Sequence, residues 1–316
     1  MEAGGTTEDR RFAVTPSETT AKRRAARLSI MVAGSLVLLK LATAWLTGSL
    51  SVVASLLDSA MDIIASLINF FAVRAASLPP DEDHRYGHGK AESLAGLFQA
   101  AVITASGIYL ITRAVQRLYR PFETSSEWVG VGSMLVAAVA SALLVMKLRA
   151  VSRETDSPAL NADAAHYASD VFTNGAALVA LFVVATTGFR LADPLISLVI
   201  SAFILWSALG VARESIDVLM DRKLPPEVDE AVARVVGSFG PQGVVGFHDL
   251  RTRRSGALKF IDLHLEVERE QSLVEAHDLT VRVLRAIEAE IPRSRVQIHT
   301  DPAEKKNEGG RMKAAL

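Results

Sequence analysis

The chain has 316 residues, with 34 Lys and Arg against 35 Asp and Glu, a formal net charge of −1 at pH 7. This balance excludes a strongly electrostatic partner such as bulk nucleic acid. Half the residues are apolar and 22% are charged, with a mean hydropathy of +0.27, which implies long apolar stretches alternating with polar ones: a membrane protein with a water-soluble part. Without Cys there is no disulfide, no thiolate zinc finger and no iron–sulfur cluster on cysteines of this chain. Any metal must be held by imidazole and carboxylate, so the seven His matter individually.

Residues 1–26 are polar, rich in Thr, Glu and Arg, and read as a disordered cytoplasmic tail. Residues 27–218 contain six apolar windows, each near the roughly 20 residues a helix needs to cross a ~30 Å hydrocarbon core. The first, 27–46, is interrupted by Lys40, and the second, 50–73, by Asp58 and Asp62. The third covers 94–111 and the fourth 129–146. The fifth has a polar first half, 161–174, and a plainly apolar second half, 175–187; the sixth covers 191–211. Alternate connections carry the basic residues: Lys22, Arg23 and Arg24 before the first window, Arg74, Arg85 and Lys90 after the second, Lys147, Arg149 and Arg153 after the fourth, and Arg213, Arg222 and Lys223 after the sixth. The opposite side holds Arg113, Arg117, Arg120 and Arg190, so both termini are expected in the cytoplasm.

From about residue 219 the pattern changes. After Pro225-Pro226 come a charged helix at 227–237, a strand at 244–252, the Ser255-Gly256 turn and a second strand at 257–267 with near period-2 alternation. A helix at 272–291 opens with Ser272 and Glu275 at capping-box spacing, and a last strand at 296–299 runs into Asp301-Pro302. The fold class predicted is a membrane α-helical bundle of six transmembrane helices plus a C-terminal α+β cytoplasmic domain, αββαβ, of ferredoxin or metallochaperone-like type over 219–302. Residues 303–316 read as a second disordered tail.

Four groups of residues carry chemistry. Asp58 and Asp62 stand at i and i+4 in the second window, on one helix face, where each carboxylate opposes insertion by about 2.5–3.5 kcal/mol. They repel one another unless protonated or bridged by a cation; lining a wet groove is the alternative. The fifth window repeats the spacing with His166 and Asp170, and Asp163 lies near one end of that face. Pairing the two helices assembles three carboxylates and one imidazole, a donor set for a four-coordinate divalent ion. The connection after the second window holds Asp81, His84 and His88, with Gly87 and Gly89 permitting a tight backbone path; a merely solvated loop is the alternative. The last domain carries His248, His264, His277 and His299, with Asp301 two residues after His299, and spacing alone leaves open whether they converge.

In order and number these segments resemble the cation diffusion facilitator family, close to its bacterial zinc- and iron-exporting branch, over about residues 27–302. The likeness is carried by Leu57-Asp58-Ser59-Ala60-Met61-Asp62, Gly87-His88-Gly89-Lys90-Ala91-Glu92-Ser93, His166-Tyr167-Ala168-Ser169-Asp170, His248-Asp249-Leu250-Arg251-Thr252-Arg253 and Ile298-His299-Thr300-Asp301-Pro302. The resemblance implies a transport site of Asp58, Asp62, His166 and Asp170, and a loop site of Asp81, His84 and His88. It also implies a binuclear cytoplasmic site of His248, His264, His277, His299 and Asp301, a homodimer, and a charge interlock of Lys90 with Asp221. The chain departs from close relatives at Ala165, where a bulkier apolar side chain is common, and in its two tails.

The expected function is export of a divalent cation, Zn2+ first and Cd2+, Fe2+, Co2+ or Mn2+ after it, as a metal/proton antiporter working by alternating access, with metal sensing by the cytoplasmic domain. The expected location is a bacterial inner membrane. A non-transporting membrane metal sensor or scaffold is the rival reading, and a metal-dependent intramembrane hydrolase lacks an evident general base.

Overall fold

A computed structural model describes residues 16–47, 50–119, 128–189 and 191–303. Its contacts divide the chain into two compact units, a helical one through Met220 and a smaller one from Asp221.

The helical unit contains α1 (Pro16–Thr47), α2 (Leu50–Ala76), α3 (Lys90–Tyr119), α4 (Trp128–Thr155), α5 (Pro158–Thr187) and α6 (Ala192–Leu219). Among the described residues, all of these but α2 contain stretches long and apolar enough to cross a membrane: Ser17–Thr43, Lys90–Tyr119, Met134–Thr155, Pro158–Val184 and Ala192–Leu219. The side chains of residues 50–61, the first half of α2, lie outside the described residues.

One expectation needs correction: residues 16–26, read as disordered tail, form the first turns of α1. Their polar composition hides a packed face, because Ala25 and Ala26 are buried and Lys22 is buried in an ion pair with Glu92 of α3. Residues 1–15 and 304–316, the remainder of the two expected tails, lie outside the described residues.

The polar first half of the fifth window is likewise helix. Ser157 caps α5 by accepting from the Leu160 N–H, and Pro158, which lacks an N–H to satisfy, fits its first turn. The helix ends at Gly188, whose left-handed φ of 69° suits a residue without a Cβ. Helix α3 packs most extensively on α6, α4 on α5, and α1 on α2. The α3–α6 approach depends on small residues: a Cβ at Gly107 would stand 2.8 Å from Leu205 Cδ2. A second core gathers Ala25 and Ala26 of α1, Val73 of α2, Leu144 and Leu148 of α4, and Leu160 and Tyr167 of α5.

The smaller unit runs α7 (Pro226–Ser238), a 3-10 turn at Gly240–Gln242, β1 (Val244–Ser255), β2 (Leu258–Val267), α8 (Leu273–Glu290) and β3 (Ser294–Pro302). Its sheet has the order β1-β2-β3, with β1 antiparallel to β2 and β2 parallel to β3. The alternation read on β2 places Ile261, Leu263, Leu265 and Val267 in the core with Val232 and Val236 of α7 and Leu279, Val283 and Ile287 of α8. Ser272 and Glu275 form the reciprocal capping box that starts α8. Strand β3 is longer than the 296–299 read from sequence, because parallel pairing with β2 continues from Ser294 to Pro302.

Candidate functional site

Among the described residues, three clusters of potential ligands have ligand atoms within 4.8 Å of one another: Asp62, His166 and Asp170; Asp81, His84 and His88; and His248, His264 and Asp301.

In the first, α2 and α5 bring acid and imidazole together inside the helical unit. His166 Nε2 lies 3.1 Å from Asp62 Oδ1 and 4.0 Å from Asp170 Oδ2, so one ring nitrogen is aimed between two carboxylates from different helices. The imidazole is buried, with 4% of its side-chain surface exposed, whereas Asp62 and Asp170 keep 21% and 33%. The imidazole is therefore enclosed by protein, while both carboxylates remain partly exposed. Asp58, one turn before Asp62 on α2, has a side chain outside the described residues.

Neighbouring polar groups fix the two helices against α1. The Tyr167 hydroxyl donates to the Ser29 carbonyl at 3.2 Å and shares a 2.9 Å hydrogen bond with Ser66 Oγ. The Tyr167 ring also stands edge-on to the His166 ring at 5.5 Å. Asp163, one turn before His166, accepts from Ser29 Oγ at 2.6 Å and is fully buried. Tyr167 lies inside the His166–Asp170 segment, whereas Ser66 and Ser29 carry no sequence signature beyond their place on these faces.

In the loop, Asp81 accepts from the His84 backbone N–H at 2.6 Å, and its two oxygens lie 3.3 Å from His84 Nδ1 and 3.3 Å from His88 Nε2. Gly87, at φ 81°, supplies the left-handed residue that returns the chain. The backbone hydrogen bond from His84, followed by the nearby imidazoles, holds the Asp81 carboxyl below the usual carboxylate range. An acid kept ionised beside two imidazoles is the protonation state a cation site requires.

In the smaller unit, strand register performs the convergence that spacing could not show. His248 of β1 pairs with His264 of β2, and His264 pairs in the parallel ladder with His299 of β3. Asp301 closes the group: its Oδ2 lies 2.8 Å from His264 Nδ1 and 3.6 Å from His248 Nε2, and its Oδ1 lies 3.3 Å from His299 Nε2. The hydrogen bond with His264 is the main reason the Asp301 carboxyl titrates below its ordinary range. His277 is exposed on α8 and outside the three-residue cluster. Glu266, with Oε1 3.9 Å from His248 Nε2, was not among the residues singled out from sequence; its place two residues after His264, on the same strand face, is the signal that points to it. Of the residues of the expected interlock, Lys90 Nζ donates to the Leu219 carbonyl at 3.4 Å within the helical unit, and Asp221 Oδ1 lies 3.6 Å from Arg253 Nη1 within the smaller unit.

A bundle of long apolar helices with ionisable groups facing its interior, followed by a soluble α+β domain, defines an integral membrane protein that handles cations. The cation efflux transmembrane domain matches residues 26–220, and the cytoplasmic domain of cation efflux proteins matches residues 224–303. The chain belongs to the cation efflux family, also called cation diffusion facilitators, and is a transporter of divalent metal ions, not an enzyme. It is 43% identical over 280 residues to the cation-efflux pump FieF of Yersinia pestis (strain Pestoides F), covering 89% of this chain and 92% of that one. It has the same identity and coverage with the FieF pump of Yersinia pseudotuberculosis serotype O:3 (strain YPIII). Two solved structures of CzrB, one of them a Zn form, are each 32% identical with a TM-score of 0.25; they cover 29% and 26% of this chain and 99% of their own.

Proposed function

We propose that this transporter exports Zn2+ in exchange for protons, with Asp58, Asp62, His166 and Asp170 as the ligands of the moving ion. The observation that supports it best is the approach of His166 Nε2 to Asp62 and Asp170 across two helices. Three carboxylates and an imidazole form a mixed oxygen and nitrogen set suited to tetrahedral Zn2+, accommodating Cd2+, Fe2+, Co2+ or Mn2+ less well, and the lack of Cys disfavours Cu(I). Imidazole ordinarily titrates near about 6.5 and must be neutral to ligate, so binding releases protons and an inward proton gradient can displace the ion outward.

Bending or rocking of helices around a fixed midplane site supplies alternating access. The basic residues at the ends of α2, α4 and α6 support cytoplasmic termini, and the likeness to bacterial FieF pumps supports an inner membrane. The cytoplasmic domain, 219–302, pairs two copies of the chain into a homodimer and senses metal through His248, His264, His277, His299 and Asp301. Lys90 and Asp221 hold the dimer together near the membrane surface, and the loop site of Asp81, His84 and His88 collects ions at the entrance. The test is Zn2+ uptake into inverted vesicles: Asp62→Ala and Asp170→Ala each abolish it, and normal uptake by both variants refutes the site assignment.

A further inference from the structure

We propose that Tyr167 is a positioning residue of the transport site and, with Ser66, sets how sharply that site separates divalent ions by size. This rests on the four-ligand reading proposed above. One side chain reaches both ligand-bearing helices. The Tyr167 ring stands edge-on to the His166 ring, with 5.5 Å between centroids and 71° between planes, and its hydroxyl meets Ser66 Oγ at 2.9 Å. Ser66 lies one turn after Asp62 on α2. The ring thus borders one ligand, and the hydroxyl grips the helix that carries another.

The protons of this link have one arrangement. The Ser29 carbonyl of α1 can only accept, so the Tyr167 proton goes to it at 3.2 Å and Ser66 donates to the Tyr167 oxygen. Tyr167 is 1% exposed, and Ser66 and Ser29 are fully buried, so water does not compete for these bonds. Contact between α2 and α5 is sparse beside that of α1 with α2 or α4 with α5. Side chains therefore set the spacing across which Asp62 meets His166. A further link, Asn69 to Asp163, lies almost two turns beyond Asp62; the Ser66–Tyr167 bond is the one beside the ligands. Groups behind the ligands of a metal site matter to it, their loss commonly costing about 10–100-fold in affinity. Ligand spacing is also what separates ions of like charge. A closely held site suits Zn2+, and one whose helices are no longer tied at Tyr167 suits the larger Cd2+ better.

The competing role is packing, in which the hydroxyls only hold three helices together. Initial rates of Zn2+ and Cd2+ uptake into proteoliposomes of the full-length protein give kcat/KM for each ion, and Tm in detergent is read on the same preparations. Tyr167→Phe keeps the ring and removes the hydroxyl, and Ser66→Ala removes its donor. Each is expected to lower the ratio of kcat/KM for Zn2+ over Cd2+ at least threefold. The double variant is expected to stay within twofold of the larger single change, because both substitutions cut the same link. Ser29→Ala keeps the carbonyl that holds Tyr167 and removes only the hydroxyl bond to Asp163, so it perturbs packing alone and is expected to leave the ratio within threefold whatever its Tm. A fall of less than threefold in Tyr167→Phe or in Ser66→Ala overturns the proposal, as does loss of uptake of both ions in a folded variant. Single shifts that multiply in the double variant, or a shift of threefold or more in Ser29→Ala, overturn it too. Where one single variant fails to fold, the other decides. Zn2+ uptake retained in Asp62→Ala instead sinks the underlying site assignment.

Discussion

Lys22 and Glu92 form an ion pair of 2.8 Å between α1 and α3, with only 4% and 3% of their side-chain surfaces exposed, and Glu92 accepts a further hydrogen bond from Ser157 at the start of α5. Replacing Lys22 by Met keeps the volume and removes the charge, leaving Glu92 desolvated with one neutral donor. Orphaning one member of such a pair costs about 3–5 kcal/mol. For a unit of roughly 200 residues, each kcal/mol moves the unfolding midpoint by about 2–4 °C, so Lys22→Met is expected to lower Tm by about 6–20 °C. The double variant Lys22→Met/Glu92→Leu removes both charges and leaves mainly the Ser157 hydroxyl without its acceptor, a loss of about 1 kcal/mol. Its Tm therefore falls by only about 2–4 °C. Thermal unfolding in detergent, followed by tryptophan fluorescence, checks both values. A double variant no more stable than Lys22→Met refutes the reasoning, because the cost would then lie in lost packing and not in an unpaired buried charge.

His166→Asp exchanges the one nitrogen ligand for a fourth hard carboxylate oxygen in the site, and competition flux in proteoliposomes is expected to shift from Zn2+ toward Mn2+. Ser272→Ala removes the cap of α8 at a cost of about 1 kcal/mol, seen as roughly fivefold faster amide exchange in its first turn. The Glu275 carboxyl is held below its ordinary value first by the Ser272 side chain and then by the Ser272 N–H. The stability it contributes is thus present above about pH 4.3 and lost as pH falls through the lower folded-state value, a dependence that Ser272→Ala flattens. Gly107→Val drives its side chain into Leu205 and is expected to cost about 1–3 kcal/mol, read as a lower Tm with the α3–α6 contact loosened. His248→Ala is expected to leave Zn2+ flux in place while removing one class of Zn2+ binding from the cytoplasmic domain; unchanged stoichiometry in binding titrations counts against that site.

Local pattern carried much of the molecule. A helix repeats every 3.6 residues whatever surrounds it, so the pairs Asp58/Asp62 and His166/Asp170 share faces by arithmetic alone. The period-2 run on β2 selected its core face in the same way, and the Ser272/Glu275 box marked the start of α8. Composition misled where polar residues pack: Lys22 in a charged segment looks solvated until Glu92, seventy positions away, is placed against it.

What only the tertiary structure decided were meetings between elements. Nothing in the spacing of His248, His264, His299 and Asp301 specifies that β2 and β3 run parallel in the register that sets His264 beside His299. Nothing in α2 or α5 alone specifies that Asp62 faces His166. Short-range propensity acts on residues a few bonds apart, whereas helix contacts and strand register are selected by total burial and hydrogen bonding across the fold. The residue types that can grip a cation are thus written along the chain, and the distances that let them do so arise only when the helices and strands pack.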